Sequence, residues 1–170
     1  MRKWNGWGDE STEFPANPGV KRFLVQELGE SVPLLDASRD AVLALVPPSR
    51  LPFHPLVSVD PWLRVLHARG QSLPDWLAMR SGRMGPFPDG VAEPTSSPEV
   101  TDLLAWAGKE NVTVIPYGGG TSVAGHINPL PDGRPVLTLS LARLNNLLGL
   151  DRESQLATLG AGANGPRVEE

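Results

Sequence analysis

Apolar residues recur at helical spacing in four places in the first half of the chain. Val20, Phe23, Leu24 and Leu28 share one stripe, ended by Gly29. Ser38 to Val46 predicts a second, short helix, with Ser38 as its cap and Pro47-Pro48 as its stop. Asp60-Pro61 combines a capping carboxylate with a first-turn proline, and Trp62, Leu63, Leu66 and His67 follow down to Gly70. Ser72-Leu73-Pro74-Asp75 opens a fourth helix, which carries Trp76, Leu77 and Met79 to the break at Ser81-Gly82. The proline-laden stretch from Ser49 to Ser58 predicts connections, so these elements read as a helical appendage and not as part of a sheet.

The pattern changes near Asp89. Gly90 to Pro94 predicts a short edge strand, and Ser97-Pro98-Glu99 starts a helix whose Val100, Leu103, Leu104 and Ala107 form one face, closed at Asn111. Val112 to Pro116 opens with four β-branched residues and predicts a buried strand, which completes a β-α-β unit. After the turn Pro131-Asp132-Gly133, Val136 to Leu141 alternates as a half-buried strand. Leu147 to Leu150 and Gln155 to Gly160, joined by the polar Asp151 to Ser154, predict a hairpin. Gly165-Pro166-Arg167-Val168-Glu169-Glu170 begins a last helix of one turn, too short to be stable alone, which reads as a chain cut early in a helix. Residues 1 to 18 lack a period but carry Trp4, Trp7 and Phe14, and such a leader is expected to pack down onto the body.

The candidate chemistry sits where the buried strand breaks into Gly118-Gly119-Gly120-Thr121-Ser122. Three residues without Cβ let successive N–H groups converge on one anion, and two hydroxyls stand at the same mouth. No Lys or Arg lies in the loop, so binding would depend on amide dipoles. Gly120 and Gly125 have the spacing of a nucleoside triphosphatase loop, but His126 and Ile127 replace its lysine and hydroxyl. The dinucleotide fingerprint counted from Gly118 fails as well, at Val123.

Composition narrows the function classes. The 170 residues carry a net charge of −4 with scattered basic residues, which argues against a nucleic-acid surface. Cysteine is absent, excluding disulfides and thiolate chemistry. The 18 prolines and 18 glycines predict a chain with many breaks. The amino terminus lacks the apolar stretch of a signal peptide and the longest apolar run, Ala41 to Pro48, is far too short to span a bilayer, so the protein reads as cytoplasmic. His54, His67 and His126 show no metal-ligand spacing, no metal site is expected, and His67 reads as a structural, hydrogen-bonded residue.

Pro116-Tyr117-Gly118-Gly119-Gly120-Thr121-Ser122-Val123 resembles the pyrophosphate loop of FAD-binding oxidoreductases of the vanillyl-alcohol oxidase type. Within that group the likeness is greatest to the alkyldihydroxyacetonephosphate synthases and their bacterial relatives. The leader Lys3-Trp4-Asn5-Gly6-Trp7-Gly8 and the string His67-Ala68-Arg69-Gly70-Gln71-Ser72-Leu73 are similar to the same family. The resemblance implies an α/β (α+β) chain: a helical and irregular region over 1–85, then over 86–170 the first part of an FAD-binding domain of the PCMH type. It implies that Pro116, Tyr117, Gly118, Gly119, Gly120, Thr121 and Ser122 hold the FAD diphosphate. The catalytic residues and substrate cap come later in that family and cannot be mapped here.

Some relatives tether the flavin through a histidine beside the glycines; Thr121 stands there in this chain, so non-covalent FAD is expected. The implied activity is exchange of the acyl group of acyl-dihydroxyacetone phosphate for a fatty alcohol, in ether-lipid formation. Peripheral membrane contact would involve regions outside these residues, and the resemblance is compatible with a homodimer. Two alternatives stay open: an FAD-dependent D-2-hydroxy-acid dehydrogenase of the D-lactate or glycolate type, and a non-catalytic flavin-binding module. Residues 1–170 alone are expected to be inactive and to bind FAD weakly.

Overall fold

A computed structural model of the chain describes residues 3–13, 15–32 and 35–169; Phe14 of the leader and Glu170 of the last helix lie outside them. Each helical stripe becomes a helix with the expected cap. In α1 (Pro18–Leu28) the Asn17 side chain accepts from Gly19 N–H and the Gly29 N–H donates to Val25. In α2 (Arg39–Leu43) Ser38 caps the start, and the helix ends three residues earlier than predicted, continuing to Val46 only as turns. Val57–Ser58 then forms β1. The Asp60 carboxylate caps α3 (Pro61–Leu66), and a reciprocal Ser72–Asp75 box caps α4 (Leu73–Ser81), which stops at left-handed Gly82.

β2 (Gly90–Ala92) is followed by α5 (Ser97–Lys109), then β3 (Thr113–Tyr117) and β4 (Val136–Ser140). The sheet order is β1-β2-β4-β3, with β4 parallel to both neighbours and β1 antiparallel to β2. Two expectations are corrected here. Val57–Ser58, expected in a connection, is itself the edge strand, paired with Val91 and Ala92, so a piece of the region before residue 86 belongs to the sheet. The Gly90 strand is consequently interior, and all three of its residues are buried.

A third correction concerns β4. The alternation of Val136 to Leu141 predicts one wet face, yet all five strand residues are buried. The strand is central, and both of its faces are covered. Leu137 and Leu139 pack with Leu103 and Ala107 of α5, while Val136 lies with Ile115, Tyr117 and Ile127 on the other side. Leu104, placed by its spacing on the inner face of α5, is instead half exposed.

The hairpin β5 (Leu147–Asp151) and β6 (Leu156–Leu159) is a separate antiparallel pair turning at Gln155, which has φ +53°. Its Leu147, Leu148, Leu150 and Leu156 are exposed, and so is the stripe of α1, where Phe23 keeps 60% of its surface. α6 (Gly165–Glu169) closes the described chain.

Two arginines join the helical region to the sheet. Buried Arg64 donates to the carbonyls of Pro88 (2.6 Å) and Pro47 (2.8 Å). Arg50 grips the buried carboxylate of Asp89 through Nε (2.9 Å) and Nη2 (2.7 Å). Asp89 also accepts from the N–H groups of Arg50 (3.1 Å) and Val136 (2.8 Å). Burial pushes the Asp89 carboxyl up, but the donors from Arg50 and Val136 together outweigh it and hold the pKa below the usual carboxylate range.

Candidate functional site at the carboxyl ends of two parallel strands

β3 and β4 run parallel and end side by side, with Tyr117 opposite Ser140. The segments that leave them, 118–121 and 141–146, emerge at the same rim, where open parallel sheets hold ligands. The Leu141 N–H donates to the Tyr117 carbonyl (2.8 Å), which fixes how the two segments part.

A third segment lies across this rim. Gly160 N–H donates to Asn146 (2.9 Å) and Gly162 N–H to Leu144 (2.9 Å). A Cβ on Gly160 would stand 2.1 Å from the Leu144 oxygen, and one on Gly162 1.7 Å from that of Leu141. Only glycine allows this approach. The three segments line a cavity of about 650 Å³: Gly118, Gly119 and Thr121 from the first, Ala142 and Asn145 from the second, and Gly162, Asn164 and Arg167 from the third. No carboxylate is among its lining residues, in a chain with 19 acidic residues, and one guanidinium is. That lining suits an anion.

Of the seven residues expected in the loop, Gly118, Gly119 and Thr121 line the cavity. Pro116 and Tyr117 are still in β3, and proline has no N–H to offer. The Tyr117 ring is buried against the His67 ring, with centroids 4.4 Å apart, and its hydroxyl donates to the Leu66 carbonyl (3.2 Å). Of the three glycines, only Gly120 uses a left-handed backbone, at φ +69°. At Gly118 the decisive property is room, since a Cβ there would meet nothing within 4 Å. Ser122 turns away: its carbonyl accepts from Gln71 N–H (2.6 Å) and its hydroxyl pairs with His126 Nδ1 (3.2 Å).

The 161–167 strip of the lining falls outside the loop expected from the sequence. Its signal was present in Gly160-Ala161-Gly162, a glycine pair directly after a strand.

The string from His67 to Leu73 supports the loop from behind. His67 Nδ1 donates to the Leu63 carbonyl (2.8 Å), as expected of a structural histidine. Gly70 N–H donates to the Asn128 side chain (3.1 Å), whose amide donates in turn to Asp75 (2.7 Å). Gly70 itself passes so close to the loop that a Cβ would lie 2.3 Å from the Ser122 oxygen. Gly70→Ala must therefore move backbone, and should destabilise the protein by about 1 to 3 kcal/mol in thermal unfolding. An unchanged Tm would show that this packing is dispensable.

Residues 88–170 match the family described as an FAD binding domain. That stretch, just under half of the chain, is similar to an FAD binding domain. Along nearly its whole length, 99%, the chain is 29% identical to the alkyldihydroxyacetonephosphate synthase of Dictyostelium discoideum, of which it covers 33%. A solved structure of alkyldihydroxyacetonephosphate synthase in P1 superposes with a TM-score of 0.78 at 29% identity, covering 99% of this chain and 38% of that one. A stretch of 66 residues, 39% of the chain, is 35% identical to the mitochondrial D-lactate dehydrogenase (cytochrome) of Kluyveromyces lactis, covering 12% of that protein. The chain thus spans about a third of the length of the synthases it resembles.

The matched stretch begins at residue 88, so the Arg50 clamp on Asp89 fastens its first strand to the preceding region. Among the described residues no helix is long and apolar enough to cross a membrane, and no group of three or more acidic or histidine side chains could hold a metal ion.

Proposed function

We propose that the cavity between the glycine turn and the 161–167 strip holds the diphosphate of FAD, and that the whole protein is an alkyldihydroxyacetonephosphate synthase-like flavoenzyme. The observation that carries this is the room left at Gly118, where a Cβ would meet nothing within 4 Å, in a cavity whose lining includes Arg167 and no carboxylate. The donor set fits: the amides of the turn and the Thr121 hydroxyl are offered to phosphate oxygens, while Arg167 contributes positive charge to the same cavity. Pro116 and Tyr117 aim the turn, Gly120 bends it, and Ser122 ties it to Gln71 and His126.

When bound, the flavin supplies a two-electron acceptor for substrate oxidation. The residues of this chain orient it. Attachment is non-covalent in this reading, because Thr121 occupies the position next to the glycines and His126 is not among the residues lining the cavity. We take residues 1–85 as the amino-terminal region and 86–170 as the first part of the domain. The proposed substrates are acyl-dihydroxyacetone phosphate and a fatty alcohol.

The 66-residue likeness to a D-lactate dehydrogenase favours one second reading, oxidation of a 2-hydroxy acid. A visible spectrum of the purified full-length protein separates the two. The expected result is an oxidised-flavin spectrum that bleaches with acyl-dihydroxyacetone phosphate and not with D-lactate or glycolate; the reverse pattern supports the dehydrogenase. Protein that stays colourless in excess FAD would remove both. Residues 1–170 alone should take up little FAD in calorimetry.

A further inference from the structure

We propose that the tryptophan leader is part of the same site, with the Trp7 indole forming a stacking wall for a flat ring of the dinucleotide where it leaves the glycine turn. This rests on the reading of that turn as the diphosphate cradle.

The leader is a folded, anchored element. Lys3 N–H donates to the Gly8 carbonyl (2.9 Å), and Gly8 takes a left-handed backbone with φ +90° to close that turn. Trp4 is the anchor: its ring meets Trp62 edge-on, with centroids 6.4 Å apart, and packs against the cluster around Val42 and Val65. The Arg39 guanidinium lies 3.9 Å from the centroid of the Trp62 ring and holds it in place.

With Trp4 fixed, Gly6, Trp7 and Gly8 come to the glycine turn. They line a cavity of about 250 Å³ together with Gln71, Gly119 and Thr121. Gly119 and Thr121 also line the larger cavity, so the turn is a partition shared by two openings. A ligand whose diphosphate rests on the turn carries a flat heteroaromatic group on either side of it. One group can extend into each opening.

The second opening fits a ring better than a charge. Its lining is backbone, indole and small residues, and its one amide side chain is already engaged, since Gln71 Oε1 accepts from Trp76 Nε1 at 2.6 Å. Trp7 keeps 56% of its surface in water, whereas its neighbour Trp4 is partly buried against the core. An indole left wet beside a nucleotide cradle gains from stacking, which is worth about tenfold or more in affinity per ring. The glycines on either side of it, with open space at their Cβ positions, let it settle against the ring.

The test is hydroxyl-radical footprinting of the full-length protein, stripped of flavin and then resaturated with FAD, with oxidation read at each tryptophan by peptide mass. FAD should cut Trp7 oxidation several-fold and leave Trp76 unchanged. Trp7→Ala should weaken FAD about tenfold, and Trp7→Phe should restore most of that loss. Equal oxidation of Trp7 in stripped and flavin-saturated protein overturns the inference while leaving the cradle standing. Retention of flavin by Gly119→Val removes the cradle itself, and the inference with it.

Discussion

Replacing Gly119 with valine is expected to give a folded protein without flavin. The backbone at Gly119 does not require glycine, since its φ lies outside the left-handed region, and a Cβ there would meet only the Thr121 methyl at an ordinary 3.7 Å. The added isopropyl group therefore has somewhere to go, and that place is the rim of the cavity. Thermal unfolding should move little, because no buried contact is lost. Flavin affinity should fall by at least about 100-fold, about 2.8 kcal/mol, as the side chain takes the position offered to a phosphate oxygen. A variant purified with the flavin-to-protein ratio of the parent would show that the glycine turn is not the cradle.

The second large effect concerns stability. Arg50→Ala removes two of the four donors that compensate the buried Asp89 carboxylate, leaving Val136 N–H and the Arg50 backbone N–H. Because Arg50 is half exposed, the cost should sit at the low end for a broken buried pair, about 2 to 3 kcal/mol, or roughly 5 to 10 °C in Tm. Its pH dependence has a definite sign. In the parent the Asp89 carboxyl is held low, so its stabilisation is fully present above the unfolded carboxylate pKa of about 4 and is lost as pH falls through the lower folded value. Without the guanidinium, burial dominates and the folded group takes up a proton more readily, so acid no longer costs the variant that stability. The gap between parent and variant should thus be widest at pH 7 and narrow towards pH 3. A gap that is constant across this range would mean that Arg50 acts through packing alone.

What was legible in the sequence follows from how local each signal is. Helix starts depend on one cap and one proline, so Ser38, Asp60 and Ser72 mark them without any knowledge of the fold. The burial of Val136 to Ser140 was not legible as a strand with two covered faces, because alternating Leu and Thr looks the same whether or not a second layer covers the Thr side. β1 was hidden by its length: two residues pair with Val91 and Ala92 in a segment whose prolines argue against a strand.

The candidate site divides in the same way. The glycine turn announces itself by composition, but which of its glycines bends and which leaves room depends on geometry that only the folded chain supplies. The 161–167 strip is non-local, since Gly162 lies against Leu141, a contact between two segments joined through a hairpin.

The central claim is that the amides of the glycine turn meet the diphosphate of FAD. A crystal structure of the full-length protein with FAD bound tests it most directly. The expected density has phosphate oxygens within hydrogen-bond distance of the N–H groups of the Gly118–Thr121 turn, with the 161–167 strip on the far side of the cofactor. Density for the diphosphate elsewhere, with the turn facing solvent, would contradict it.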